Sequence, residues 1–351
     1  MNEITTPESC VRFKHVLAFE VSKATLVTKV LPSGVETTIP NASADVRRLI
    51  EKERKANAKL GLGPLLVVCE ATGTYDRHVL EHAVEKGVDC HRAHGSRMRA
   101  YAKYRGVHAK TDPIDVRLIA EFGRDTPDLR LYRPPCEKQQ QFRALVARRH
   151  DLKDALHAEK ARVEHTTVDI VLKSIRRQIK SLEKDIAEIE AALEAFVDAD
   201  EELRTKTTLM RSVIGIAFTS AASLLAFVPE LGSIGRGTVA ALVGVAPYDD
   251  ASGKRDGLRH IAGGRQEARN MLYMCAVVAM THNPHLAEMA QRIIAKGRPK
   301  KVAITAVMRK LLVILNAILR DGKPCKMSAA ARQPKSKSNE ASTDCAPTTS
   351  I

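Results

Sequence analysis

The stretch PLLVVCE, Pro64–Glu70, is an almost unbroken apolar run that ends in an acid. A run of this kind reads as a central β-strand covered on both faces. It leads into Ala71, Thr72, Gly73, Thr74 and Tyr75, a polar exit at the carboxyl end of the strand. Upstream, HVLAFEV at His15–Val21 is a second apolar strand, and it carries one acid, Glu20. An acid inside such a strand needs a charge partner or a ligand to offset its desolvation. Ala24–Leu31 and Val35–Pro40 are further β-rich pieces separated by Pro32, Ser33 and Gly34, a turn signal for an antiparallel hairpin. Asn41–Ala58 reads as a helix with Val46, Leu49 and Ile50 on its inner face.

Downstream, a helix over Tyr75–Lys86, a strand at Val88–Ala93 and helices at Ser96–Arg105 and Asp112–Phe122 complete a βββαβαβα order. That order is the one of a ribonuclease-H-like mixed sheet. In VHAKTDPIDVRLIAEF, Val107–Phe122, Asp112 before Pro113 reads as a helix N-cap, and Asp115 follows one turn later on the same face. Taken alone, this pair reads first as a helix cap and a dipole partner. With Glu20 and Glu70 at strand ends, where ligands gather in such sheets, the four acids form a candidate site for a divalent cation held by hard oxygen ligands.

Composition narrows the partner. The chain has 351 residues, enough for more than one domain, and 44% of them are hydrophobic. Its 56 Lys and Arg against 41 Asp and Glu give a net charge of +15, which predicts a polyanionic partner, nucleic acid by default. Aromatic residues are 4% and tryptophan is absent, so phosphate contacts rather than base stacking are expected to carry binding. The seven cysteines are scattered without a CxxC pair, which predicts reduced thiols. With no unbroken apolar run of membrane-spanning length and no signal-peptide pattern, a cytoplasmic, nucleoid-associated protein without a membrane partner is expected.

Between Pro135 and Gly215 there is neither glycine nor proline. Within that span Val168, Leu172, Ile175, Ile179, Leu182, Ile186, Ile189, Leu193 and Phe196 recur in steps of four and three, a coiled-coil pattern. Either residues 142–163 fold back on this seam or the chain self-associates as a dimer or tetramer; the regularity favours self-association. From Leu209 the chain becomes a small-residue apolar helix, Thr219–Phe227, entered through Ile214, Gly215 and Ile216. A turn at Gly215 can present backbone amides to a phosphate, or it can simply let two helices pack. Then VAALVGVAPYDDASG, Val239–Gly253, ends in a polar turn holding Ser252. Gly215, together with Lys110 beside the paired aspartates and Lys254, Arg255, Arg265 and Arg269 around the polar turn, are the nucleic-acid-binding candidates. Residues 326–351, rich in Ser, Ala, Lys, Thr and Pro, read as a disordered tail. The expected organisation is thus a mixed-sheet domain over 1–130, coiled-coil helices over 131–205 and a mostly helical domain over 206–325.

EATGTY at Glu70–Tyr75, AKTDPIDVRLIAEF at Ala109–Phe122, the long helical middle and GVAPYDDASGKRDG at Gly244–Gly257 together resemble the transposases of the insertion-sequence one-ten (IS 110) family, kin to the Piv-type DNA invertases. The resemblance spans residues 15–322. It implies a RuvC-like domain with a DEDD acid set, a coiled coil for assembly and a C-terminal domain with a serine nucleophile. By motif, Glu70, Asp112 and Asp115 stand at the second, third and fourth acids, and Ser252 stands at the nucleophile. The resemblance also implies double-stranded DNA as substrate, a structured guide RNA, and magnesium or manganese as cofactor. Glu20 replaces the family's first aspartate. The usual Pro-Gly-x-Gly is Ile214, Gly215, Ile216 and Ala217 here, and Gly264 and Arg265 replace a Gly-Asn pair.

The function this implies is RNA-guided DNA strand exchange by metal-assisted attack of Ser252 on a phosphodiester, across an interface between domains or subunits. Three alternatives stay open at this point: a hydrolytic RuvC-like nuclease, a site-specific invertase, and a catalytically decayed nucleic-acid-binding protein.

Overall fold

A computed structural model describes residues 12–107, 111–249, 251–252, 255–257 and 259–325. Lys110, Lys254 and the expected tail from residue 326 lie outside the described residues. The chain divides into two compact units, Met1–Pro135 and Cys136–Ile351.

The first unit is built on β1 (His15–Val21), β2 (Thr25–Leu31), β3 (Glu36–Pro40), α1 (Ser43–Leu60), β4 (Leu65–Glu70), α2 (Arg77–Glu85), β5 (Asp89–Ala93), α3 (Gly95–Tyr104) and α4 (Asp112–Asp125). The strands form a five-stranded sheet in the order β3-β2-β1-β4-β5. The pairings β1–β2 and β2–β3 are antiparallel, as two hairpins require, whereas β1–β4 and β4–β5 are parallel, each reached through a helix. This mixed sheet with flanking helices is compatible with the ribonuclease-H-like order expected above.

Alternation along the strands sorts the side chains onto two faces. Leu17 and Phe19 of β1 and Leu65, Val67 and Cys69 of β4 share one apolar cluster with Val46 and Ile50 of α1 and Val79 of α2. Val16 and Ala18, with Leu66 and Val68, share the other cluster with Val116, Ile119 and Phe122 of α4. Burying each of those large side chains contributes ~1.5–3 kcal/mol over leaving it exposed. Gly123 lets α4 lie close: a Cβ there would stand 2.7 Å from Val68 Cγ2 and 3.2 Å from Val16 Cγ1.

On the opposite face, α1 is tied to β1 through buried polar groups. His15 Nδ1 donates to Asn57 Oδ1 at 2.9 Å, and Asn57 Nδ2 donates to the Gly63 carbonyl at 2.7 Å, which fixes the orientation of the amide. Glu53 Oε2 lies 3.3 Å from His15 Nε2, so the imidazole is flanked by an oxygen at each nitrogen.

The second unit contains α5 (Glu137–Glu164), α6 (Asp169–Asp198), α7 (Glu201–Arg211), α8 (Phe218–Phe227), α9 (Arg236–Val243), the short strands β6 (Pro247–Tyr248), β7 (Ala251–Ser252), β8 (Arg255–Asp256) and β9 (His260–Ile261), then α10 (Gln266–His282), α11 (Pro284–Ala295) and α12 (Lys300–Asp321). The helices α5 and α6 form an antiparallel hairpin. Leu152 and Leu156 meet Leu182 and Ile186, while Arg149 reaches Glu190 and Lys160 reaches Glu183. Part of the apolar seam of α6 is therefore filled from within the chain, by the fold-back that its regularity made the less favoured expectation. Helix α5 ends without glycine or proline; Thr166 Oγ1 instead donates to the Arg162 carbonyl at 2.8 Å and competes with the next helical turn.

The base of the hairpin joins the main core. Phe142 stacks on Phe196 at 5.6 Å between ring centroids, and both sit with Val146, Leu193 and Val197 in one cluster with α8, α10 and α12. Helix α12 is long and apolar enough to cross a membrane by length and composition. Its Val307, Leu311, Leu312 and Leu315 are fully buried inside this core, which accounts for its apolarity.

One buried and one half-buried histidine give the fold a pH dependence. His91 on β5 donates from Nδ1 to the Arg130 carbonyl at 2.8 Å, and its Nε2 is buried without a hydrogen-bond partner. Burial pulls its pKa below the ordinary histidine value, against the carbonyl bond and with a small contribution from Arg97. Burial lowers His150 on α5 in the same way, helped by Arg149. Both histidines are favoured neutral in the folded state. Their contribution is complete above the unfolded pKa of ~6.5 and is lost as pH falls through the lower folded value. The urea midpoint followed by circular dichroism should drop between pH 7.5 and pH 5.5, and the drop should shrink in a His91→Gln, His150→Gln double variant. An unchanged wild-type midpoint across that interval would refute this origin of the pH dependence.

Candidate nucleic-acid site

The parallel pairing of β1 and β4 decides where the first two acids stand. Phe19 is in register with Cys69, so Glu20 and Glu70 are the next residues along two adjacent strands. Both share the parity of Ala18 and Val68, which places them on the α4 face at the carboxyl ends of the strands. Both are half-buried. Room for Glu70 comes from Gly95, the first residue of α3, where a Cβ would stand 2.7 Å from Glu70 Oε1.

Helix α4 brings the other two. Its residue Gly123 rests against Val16, Leu66 and Val68. Helix α3 starts at Gly95 beside Glu70, and its far end, Tyr101 and Arg105, bonds Asp125 at the end of α4, so α4 runs antiparallel to the strands with its first turn, Asp112 and Asp115, toward the ends that carry Glu20 and Glu70. The N-cap is Thr111, one residue before the expected position, with Asp112 inside the helix and Pro113 following it. The Asp115 amide donates to the Thr111 carbonyl at 2.8 Å, and Asp112 is exposed while Asp115 is half-buried. Carboxylates in a first turn also complement the helix dipole. Among the described residues, no three His, Cys, Asp or Glu side chains are drawn together closely enough to hold a metal ion.

Two devices brace the loops beyond the acid-bearing strands, and neither has an obvious sequence signal. Asn41 Nδ2 donates to the Ser22 carbonyl at 2.8 Å and to the Tyr75 carbonyl at 3.0 Å, joining the loop after β1 to the loop after β4. Arg92 of β5 donates through Nη2 to the Gly73 carbonyl at 2.8 Å and grips the buried Asp76 through both Nε and Nη2. A helix-flanking acid in EATGTYD is the available hint to Asp76; its partner, sixteen residues on, has none.

Ser252 is the last residue of β7 and pairs with Arg255 of β8. The sequence predicts a polar turn here; the structure has a ribbon. Outside this pair, Tyr248 of β6 opposes His260 of β9 and Pro247 opposes Ile261, in a register displaced by one residue from the inner pair. The four short strands thus form an arm of two antiparallel pairs, β6–β9 and β7–β8, with Ser252 in the second pair. Asp249 and Arg259 close an ion pair of 2.5 Å across the arm.

The arm is anchored where Gly244 and Gly264 cross. Both have left-handed backbones, with φ of 77° and 75°, and a Cβ on either would collide with the other segment's backbone. The Arg265 amide donates to the Leu242 carbonyl at 3.0 Å. The Arg265 guanidinium grips Glu230 with bonds of 2.6 and 2.7 Å and also donates to the Phe227 carbonyl at 2.8 Å. Arg269 donates to the Gly263 carbonyl and to Gln266. Two of the expected nucleic-acid cations are thus engaged in the anchor. Gly215, with φ of 102°, sits against α10, where a Cβ would lie 2.9 Å from that of Ala279; its geometry is that of helix packing.

Known proteins resemble both parts of the chain. Residues 28–172 match the DEDD transposase family of IS110 elements, and residues 207–291 match the transposase family IS116/IS110/IS902. The pilin gene-inverting protein of Moraxella bovis is 29% identical over 74% of this chain and 81% of its own length. Its counterpart in Moraxella lacunata is 28% identical over the same shares. An uncharacterized protein of insertion element IS110 from Streptomyces coelicolor is 28% identical over 49% of this chain and 42% of its own.

Replacing Asp76 by alanine leaves Arg92 unpaired and frees the loop after Glu70. Because Arg92 keeps partial access to water, a loss of about 2 kcal/mol is expected rather than the full cost of a buried orphan charge. Chemical denaturation of Asp76→Ala measures it; a loss below ~0.5 kcal/mol would mean the pair does not hold the loop.

Proposed function

Because the chain belongs to the IS110 family of transposases, enzymes of DNA recombination, we propose that it exchanges DNA strands through a covalent Ser252 intermediate and a divalent cation held by Glu20, Glu70, Asp112 and Asp115. The observation that carries this reading is the placement of two glutamates side by side at the carboxyl ends of β1 and β4, with the acidic first turn of an antiparallel helix directed to the same end. Four carboxylates offer only hard oxygen donors, which suits magnesium or manganese and not a soft metal. Gly95 supports the fit, since it clears the space that the Glu70 carboxylate occupies. When bound, the cation would offset the charge of the phosphate under attack.

The serine hydroxyl attacks phosphorus; the Oγ–P bond forms as the bond to the bridging oxygen of the leaving strand breaks. The proton lost from Oγ is balanced by one gained on the departing oxygen. Attack of a new strand's hydroxyl on the phosphoserine reverses the sequence, so no phosphodiester is lost and no external energy source is required. A structured guide RNA and assembly as a dimer or tetramer complete the proposal. The excess of cations with few aromatics supports recognition of nucleic acid through backbone and shape. Val168, Ile170 and Val171 at the start of α6 are exposed, an apolar tip suited to a second copy. Transposition and inversion use the same chemistry and differ in the sites joined; the pilin gene-inverting relatives keep inversion as a second outcome.

The test is a denaturing gel of the protein with matched duplexes, magnesium and RNA transcribed from the DNA flanking its gene. A protein–DNA adduct should form in wild type, vanish in Ser252→Ala and require the metal. Free cut ends without an adduct would establish hydrolysis instead. In Glu20→Asp the adduct should persist, because the carboxylate stays on the same strand end; adduct formation only in that variant would show that Glu20 disables the wild-type site.

A further inference from the structure

Where the arm meets the helical core, the second unit holds a cavity of about 920 Å³. Its floor is aliphatic, built from Val245, Pro247, Ile261, Met289, Val302 and Val313. Its rim carries Arg236 from the start of α9, Arg259 from the arm, and Lys301, Arg309 and Lys310 along α12, with no Asp or Glu among the lining residues. Arg259 is held by Asp249; Arg236, Lys301, Arg309 and Lys310 have no ion pair within 4 Å among the described residues. All four are exposed, as is Val302 on the floor.

An aliphatic floor under a cationic rim selects a ligand that is anionic along one edge and flat and weakly polar along the other. Free phosphate would use the rim and leave the floor wet. A protein partner would have to be strongly acidic to use the rim, and this chain's own net charge of +15 argues against a second copy. A duplex hides its base faces and is too wide for a pocket of this size, which falls in the range of sites enclosing one small ligand, ~300–1,000 Å³. A single strand fits both halves: its phosphates pair with the rim, and its unstacked bases and sugars cover the floor.

We infer that this cavity binds unpaired nucleotides of a single nucleic-acid strand. The arm gives the register. Ser252 lies four positions beyond Tyr248, so the outer strand pair that lines the cavity and the inner pair that carries the serine belong to one short arm. The cavity would then hold the strand a few nucleotides from the phosphate that Ser252 attacks, and favour DNA that is locally melted there. The register rests on the proposed role of Ser252; the binding site does not.

The experiment separates the two. Full-length Ser252→Ala protein in EDTA is titrated by fluorescence anisotropy into a labelled twelve-nucleotide oligo-dT and into a duplex of equal length. This protein cannot make the adduct, so a negative result on the gel described above leaves these readings unaffected. The variant K301E/R309E should weaken single-strand binding at least tenfold and lower the slope of log K against log salt by about 0.7 for each phosphate that is no longer paired. Duplex binding should change by less than threefold. Val302→Asp should weaken only single-strand binding. A control of equal charge change on α6, R176E/R177E, should leave single-strand binding within threefold. Equal losses on single strand and duplex, or in the control and the cavity variant, would reduce the site to general attraction and overturn the inference; so would unchanged single-strand binding in K301E/R309E.

Discussion

The close contact of α4 with the sheet at Gly123 is the constraint on which the placement of Asp112 and Asp115 depends. Only a residue without a Cβ lets the helix axis come down onto Val16, Leu66 and Val68. From that point eleven residues of helix carry the chain about 16 Å to Asp112, while Glu20 lies about 13 Å of strand beyond Val16 and Glu70 about 7 Å beyond Val68. The contact therefore sets the height of the acidic first turn above the sheet, and among the described residues it does not by itself close three acids on one point. A side chain at 123 would press on Val16, Leu66 and Val68 and displace α4, the helix that carries Asp112 and Asp115.

The second unit solves a different problem. A ribbon of two-residue strands supplies few hydrogen bonds and is marginal alone. Here its stability comes from its base, where Gly244 and Gly264 cross and Arg265 clamps Glu230 and the end of α8. The glycines allow backbones to touch, and the arginine fixes the angle at which the ribbon leaves the core. Position at the base is thereby converted into position for Ser252 at the far end of the ribbon.

Much of this is legible in the sequence, for reasons that differ from element to element. The bounds of β1 follow directly from an apolar run between polar flanks, and the hairpin after it from Pro32, Ser33 and Gly34. The start of α4 is displaced by one residue because proline is tolerated within the first helical turn, and Thr111 is itself a cap-forming residue type. The heptads of α6 are visible, but their partner is not. In α5 the inward residues Leu152 and Leu156 lie among Arg, His, Lys and Asp, and its apolar spacing is irregular, so self-association is the simpler way to cover the seam when only the sequence is read. The ribbon around Ser252 reads as a turn because two-residue strands have no periodicity to detect.

Charge is the least transferable signal. The excess of cations points to nucleic acid, yet composition cannot say which cations are available to it. Arg92, Arg259, Arg265 and Arg269 are all engaged by acids or carbonyls, and each braces a loop or arm beside a residue of the proposed chemistry. Lys301, Arg309 and Lys310 lie on the outer side of a helix whose inner side is the core, so the apolar period that makes α12 a core helix also sorts its cations onto one exposed edge. Cations that hold the loops keep the site in shape, and those without an ion pair among the described residues are the ones still free to pair with a phosphate. The distinction follows from burial and partner geometry, and it explains why arginines near the proposed site serve the fold while the cations of the last helix stand without an ion pair among the described residues.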